Sequence, residues 1–209
     1  VFFAGQAQLQ HTISNEMIFQ SRGNQKYQWL FGIFGFQQNA GSAVEVDSYK
    51  PALLKSPRWY TKDYETVTRG AAVFHQSTYK VIPSLHLIDG FRYDYETSTM
   101  AYAYHDILKN GTTYQSDTVY PALSESVFLP KLAAEFELTD NHHLYGSFTT
   151  GYKPGGFNST FEKPEHLSFK SESSQNYELG IKSSFFKNLI YADLAVFYTE
   201  LQNQQIYRT

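Results

Sequence analysis

Apolar and polar positions alternate with a period of two along most of this chain, and turn residues punctuate the alternation. That period marks β-strands, because successive side chains leave a pleated backbone on opposite faces. It predicts eight strands, over residues 6–21, 27–38, 67–81, 85–97, 125–138, 143–153, 169–185 and 189–202, and no convincing helix. In the seventh, Tyr177, Leu179, Ile181 and Phe185 share one face, and Glu178, Gly180, Lys182 and Ser184 share the other. Phe91, Tyr93 and Tyr95 alternate with Arg92, Asp94 and Glu96, and Ile190, Ala192, Leu194 and Val196 fall together in the last strand. Only the third strand is ambiguous, since Phe74 and His75 compete for the apolar face.

Most of these strands exceed the five or six residues usual in a soluble domain and reach the 9–11 that cross a bilayer at a tilt. The connections alternate strictly between short and long. Residues 22–25, 82–84, 139–142 and 187–188 are tight turns, whereas 39–66, 98–124 and 154–168 are long. Tight turns on one side and long loops on the other are the rhythm of an up-and-down transmembrane barrel. A β-sandwich mixes its loop lengths less regularly.

Composition sharpens this picture. Aromatics make up 17% of the residues, as 17 Tyr, 17 Phe and 2 Trp, and charged residues only 18%. That balance suits a wall facing hydrocarbon and headgroups better than a water-exposed surface. The longest apolar run, residues 29–36, is far too short for a membrane-spanning helix. A mean hydropathy of −0.43 is compatible with a barrel, whose strands average a lipid face with a wet one. With no Cys, thiolate metal sites and cysteine nucleophiles are excluded. A net charge of −3 gives no basic footprint for nucleic acid. The opening Val1-Phe2-Phe3-Ala4-Gly5 has neither an initiator Met nor a leader pattern, so a trimmed chain or an internal fragment is expected.

The stretch 143–158, HLYGSFTTGYKPGGFN, resembles the barrel strand and Gly-aromatic-Lys-x-Gly-Gly-Phe-Asn loop of TonB-dependent outer-membrane receptors. Residues 176–182 (NYELGIK) and 193–200 (DLAVFYTE) are similar to the two strands that follow in that family, and 27–32, 90–93 and 128–132 also fit, in order. The resemblance covers nearly the whole chain. It implies a 22-stranded barrel around an N-terminal plug, coupled to TonB and the proton-motive force. No stretch of this chain is similar to the plug or the Ton box, so residues 1–209 are expected to be part of the barrel domain alone.

The expected fold is therefore an all-β, antiparallel up-and-down transmembrane β-barrel in part, about eight strands of 22. The expected function is energy-coupled uptake of a scarce ligand such as a siderophore-iron complex, cobalamin or a glycan. The alternatives are a passive porin-like barrel and a soluble all-β carbohydrate-binding domain. The location is the outer membrane of a Gram-negative bacterium. The partners are lipid, the TonB complex through the plug and Ton box, and a small ligand that can itself be a metal chelate. No enzyme activity and no resident cofactor are expected.

Candidate chemistry is sparse. Arg92, Asp94, Glu96, Glu178 and Lys182 are expected to face the lumen, where mixed charges are common, rather than to form a catalytic carboxylate pair. Trp59, Tyr60, Tyr64 and Tyr114 are candidate ligand-contacting loop aromatics, with anchoring at the headgroup girdle as the equal alternative. His142 and His143 are adjacent and point to opposite faces of a strand, and His75, His86 and His105 are scattered, so no metal site is expected. Gly155-Gly156 is not followed by a helix and is expected to shape a loop rather than cradle phosphate. The sequons at Asn110 and Asn158 are coincidental in such a protein.

Overall fold

The computed structural model describes residues 2–23, 25–48, 58–108, 113–158 and 166–206. These form β1 (Phe2–Gln20), β2 (Tyr27–Ser48), β3 (Arg58–Ile82), β4 (Leu85–Leu108), β5 (Thr113–Val119), β6 (Ala122–Thr139), β7 (His142–Lys153), β8 (Gly156–Phe157), β9 (Ser168–Phe169), β10 (Glu172–Phe185) and β11 (Ile190–Gln202). One antiparallel sheet runs β1-β2-β3-β4-β6-β7-β10-β11, each strand pairing the next, with β5 beside the far end of β4 and β8-β9 as a separate ribbon. No Greek-key crossing occurs among the described strands, and both outer strands leave one edge unpaired.

The eight predicted strands are all present, but three are much longer than the alternation suggests. β2, β3 and β4 have 22, 25 and 24 residues. At about 3.3 Å per residue, β3 alone is roughly 80 Å long. The extra length lies where long loops were expected. Residues 39–48, 58–66 and 98–108 continue the ladders, so the first long connection shrinks to 49–57 and the second becomes the β4-β5 hairpin. Small and polar residues such as Ala40, Gly41, Ser42 and Ala43 hide this extension, because no apolar alternation marks them. Main-chain pairing runs the length of these hairpins, and on their inward face Val44, Tyr64, Met100 and Tyr102 pack together.

Register fixes which side chains share a face. One row runs Phe19, Phe31, His75 and Phe91, and another runs Phe128, Tyr93 and Val73, all on the apolar face. On the opposite face lie Arg92, Asp94 and Glu96 with their partners Leu129, Val127 and Glu125. Of the six buried side chains among the described residues, Tyr64, Ala72, Ser98, Met100 and Tyr102 are on this polar face, and Ser77 is on the apolar one. On the apolar face of interior strands, Phe128 is 59% exposed, Leu132 57% and Leu179 54%. Crowding on one face and exposure on the other describe a sheet curved like a barrel wall, concave on the polar side.

Phe74 and His75 separate for a steric reason. The Phe74 ring lies over Gly32, its direct cross-strand partner, where an added Cβ would sit 2.1 Å from the ring. Phe36 covers Gly70 and Tyr145 covers Gly180 in the same way. Each glycine thus gives an aromatic ring a seat on the concave face.

Candidate functional site

β4 organises the concave face, because its inward positions Arg92, Asp94, Glu96, Ser98, Met100 and Tyr102 form a single line up the wall. Arg92 Nε donates to both carboxylate oxygens of Asp94 at 3.0 and 2.8 Å, and Nη2 donates at 2.7 Å. Its guanidinium also lies 5.5 Å from the Phe34 ring centroid and 5.7 Å from that of Phe74. Arg92 remains 37% exposed, so the ion pair adds no more than about 1 kcal/mol and serves mainly to orient the guanidinium.

Glu178 and Lys182 belong to a separate group on β10. The Tyr145 hydroxyl donates to Glu178 at 2.5 Å, and Lys182 Nζ lies 5.3 Å over the Tyr145 ring. Three strand spacings, roughly 14 Å, separate β4 from β10. The five charged residues share one face without forming one cluster.

Further along β4, Glu96 stands directly opposite Glu125 of β6. Burial raises the Glu96 carboxyl above its ordinary value, and the nearby charges of Glu125 and Asp94 add to the shift. Glu125 is well supplied with donors. It accepts from the Tyr152 hydroxyl at 3.2 Å, from the Gly155 amide at 3.4 Å and from Ser171 Oγ. Burial, followed by the Glu125 charge, pushes the Tyr152 phenol up. Glu96, Ser98, Leu123, Glu125, Tyr152 and Lys170 line a cleft of about 500 Å³ between the wall and the β7-β10 connection.

Above the cleft, Tyr64 and Tyr102 stack with ring centroids 5.1 Å apart. Phe157 of β8 and Leu167, just before β9, pack against them and Met100, so the β8-β9 ribbon folds inward over the concave face. Burial raises the Tyr64 phenol, helped by the neighbouring Tyr102 and Tyr60, and burial lowers the Lys62 ammonium. Lys62 Nζ lies 5.8 Å over the Tyr60 ring.

Of the four aromatics expected in loops, Trp59, Tyr60 and Tyr64 lie in β3 and Tyr114 in β5, because the hairpins continue past the expected boundaries. Tyr64 is buried in the stack and Tyr60 is half-buried, while the side chains of Trp59 and Tyr114 lie outside the described residues. Glu125, Tyr152, Tyr102 and Phe34 escape a sequence reading. Each is conspicuous only once the register sets it beside its partner. The described residues contain no group of three or more His, Asp or Glu that could hold a metal ion.

The chain matches the family described as TonB dependent receptor-like, beta-barrel, over residues 2–209. It belongs to that family. The ferric yersiniabactin uptake receptor of Yersinia pestis superposes on 98% of this chain with a TM-score of 0.78 at 22% identity, and the chain covers 30% of that receptor. The alcaligin outer-membrane receptor of Bordetella pertussis aligns over 99% of the chain with a TM-score of 0.54 at 16% identity, and the chain covers 31% of it. In sequence, the ferripyoverdine receptor of Pseudomonas aeruginosa is 27% identical over 92 residues, 44% of this chain and 11% of that receptor. These relatives are receptors rather than enzymes.

As part of a TonB-dependent receptor barrel, the sheet lies in the Gram-negative outer membrane, and its apolar face has a physical meaning. On β4 the outward residues from Leu85 to Tyr95 span about 25 Å at a tilt near 45°, the height of the hydrocarbon belt. Tyr27, Trp29 and Tyr79 lie near one rim, and Tyr95, Tyr177 and Tyr198 near the other, as aromatic girdles do. Beyond the second rim the outward positions turn polar at Gln37, Arg69 and Thr97.

Proposed function

We propose that the full-length protein takes up a ferric siderophore across the outer membrane in a TonB-dependent, energy-coupled manner. The observation that carries this is the mouth. Above the membrane belt, extended hairpins and the inward-folded β8-β9 ribbon surround an aromatic and carboxylate-lined cleft, an arrangement suited to catching a ligand rather than to passive flow. The relatives named as receptors for ferric yersiniabactin, alcaligin and ferripyoverdine support the siderophore class.

In this reading Arg92, Asp94, Glu96, Glu178 and Lys182 line the lumen opposite a plug supplied by another part of the protein. Tyr60, with Trp59 in β3 and Tyr114 in β5, serves ligand capture at the mouth, and Tyr64, buried against Tyr102, holds the wall behind it. Partners are outer-membrane lipid, the TonB complex and the ligand, and no resident cofactor or catalytic residue takes part.

The test is uptake of radiolabelled iron by an iron-starved host strain. Cells carrying the full-length gene should accumulate iron from at least one member of a panel of ferric siderophores. Deletion of the gene, or of TonB, should abolish it. Uptake that persists without TonB would favour a passive pore, and no uptake from any chelate would remove the siderophore assignment.

A further inference from the structure

The ladder between β6 and β7 stops early. It runs from Thr139 and His142 only to Lys131 and Thr149, although β6 extends to Ala122 and β7 to Lys153. Pro130 accounts for the stop. Its carbonyl faces β7, since it accepts from Thr150 Oγ1 at 3.0 Å, so its missing N–H would have faced the same strand. Above Pro130 no ladder pairs join the two strands, which leaves a seam between them, and β7 continues its pairing with β10.

Glu125 spans that seam. Tyr152 and Gly155 reach it from the β7 end of the connection, and Ser171 reaches it from the β10 end. Behind this base Gln205 Nε2 donates to the carbonyls of Pro154 and Lys170 at 3.0 and 3.1 Å, which joins the two ends of the connection to each other but not to β6. Charged and titratable groups facing Glu125 are Glu96 and Asp94 from β4, Tyr152 from β7 and Lys170 beyond β9.

We propose that Glu125 is a positioning residue that latches the seam, holding the tops of β7 and β10 and the β8-β9 ribbon against β6 and over the mouth. Without its carboxylate, that unit swings outward about Pro130 while the membrane-embedded part of the sheet stays as it is. The inference rests on the sheet and not on the uptake reading, so it survives if the ligand is of another class.

The test is a pair of distance measurements by pulsed electron resonance on the full-length receptor in lipid nanodiscs, cleared of other cysteines. One spin-label pair, Ser124→Cys with Lys153→Cys, crosses the seam. A second, Leu138→Cys with Leu144→Cys, crosses the same two strands below it. Glu125→Ala should lengthen and broaden the first distance by about one strand spacing, ~5 Å, and leave the second unchanged. Glu125→Gln, which keeps the size and one acceptor oxygen, should fall between, and Pro130→Val, which restores a ladder donor, should suppress the opening in the Ala background. An unchanged seam distance in Glu125→Ala would overturn the latch. Equal broadening of both pairs would also overturn it, by showing general destabilisation instead.

Discussion

At the scale of single residues, the glycines of the concave face are structural seats rather than flexible points. An added Cβ at Gly70 would sit 2.3 Å from the Phe36 ring, whereas at Gly146 on the lipid face its nearest neighbour would be Leu179 at 3.7 Å. Gly70→Ala should therefore cost about 1–3 kcal/mol as the ring is displaced, and Gly146→Ala should be close to neutral. Reversible denaturant titration of the full-length protein in lipid vesicles would check this, and equal costs would refute the distinction. Glu96 gives a pH-dependent counterpart. Its carboxyl is raised above the unfolded value by burial and by Glu125 and Asp94, so its ionisation is uphill in the folded state. The folded state is favoured while Glu96 is protonated, and that advantage is lost as pH rises through the raised pKa. Glu96→Gln should then be more stable than the parent near pH 8 and equal to it near pH 4, as read from the same titrations at both pH values. Greater parental stability at high pH would reverse the sign and contradict the account.

At the scale of elements, the strands were legible where hydrocarbon separates their faces and illegible where it does not. Residues 176–185 and 190–196 alternate cleanly because one face meets hydrocarbon, and the structure pairs Leu179 with Val196 and Ile181 with Leu194 as that alternation requires. Residues 39–48 and 98–108 read as loops because their outward positions are mostly small or polar, while the inward Val44, Met100 and Tyr102 pack against Tyr64, Phe157 and Leu167, contacts that only the register reveals. The pairing of Glu96 with Glu125 and the seam at Pro130 were illegible for a different reason. They depend on register between strands, and a one-residue slip would move every partner to the other face. The lipid-facing assignment of β11 has its own test. Leu194→Arg should cost about 2–4 kcal/mol if the position lies near the midplane, as measured by folding into vesicles. An unchanged folding free energy would mean that Leu194 does not face lipid.

At the scale of the whole molecule, the open edges of β1 and β11 and the curvature of the sheet make this chain one arc of a larger ring, consistent with its covering 30% of the yersiniabactin receptor. The arc has a direction. Tight turns such as Pro83-Ser84 and the one around Asn188 lie at one rim, and the extended β2-β3 and β4-β5 hairpins with the inward-folded β8-β9 ribbon lie at the other. Outer-membrane barrels keep short turns in the periplasm and long excursions outside, so capture at the mouth depends on this orientation. The chain has no native Cys, which makes single introduced thiols clean reporters within it. In the full-length receptor on intact cells, a membrane-impermeant maleimide should label Asn110→Cys, between β4 and β5, and spare Asn188→Cys until the outer membrane is permeabilised. Labelling of Asn188→Cys on intact cells, or of both positions alike, would contradict the orientation and with it the assignment of ligand capture to this end of the wall.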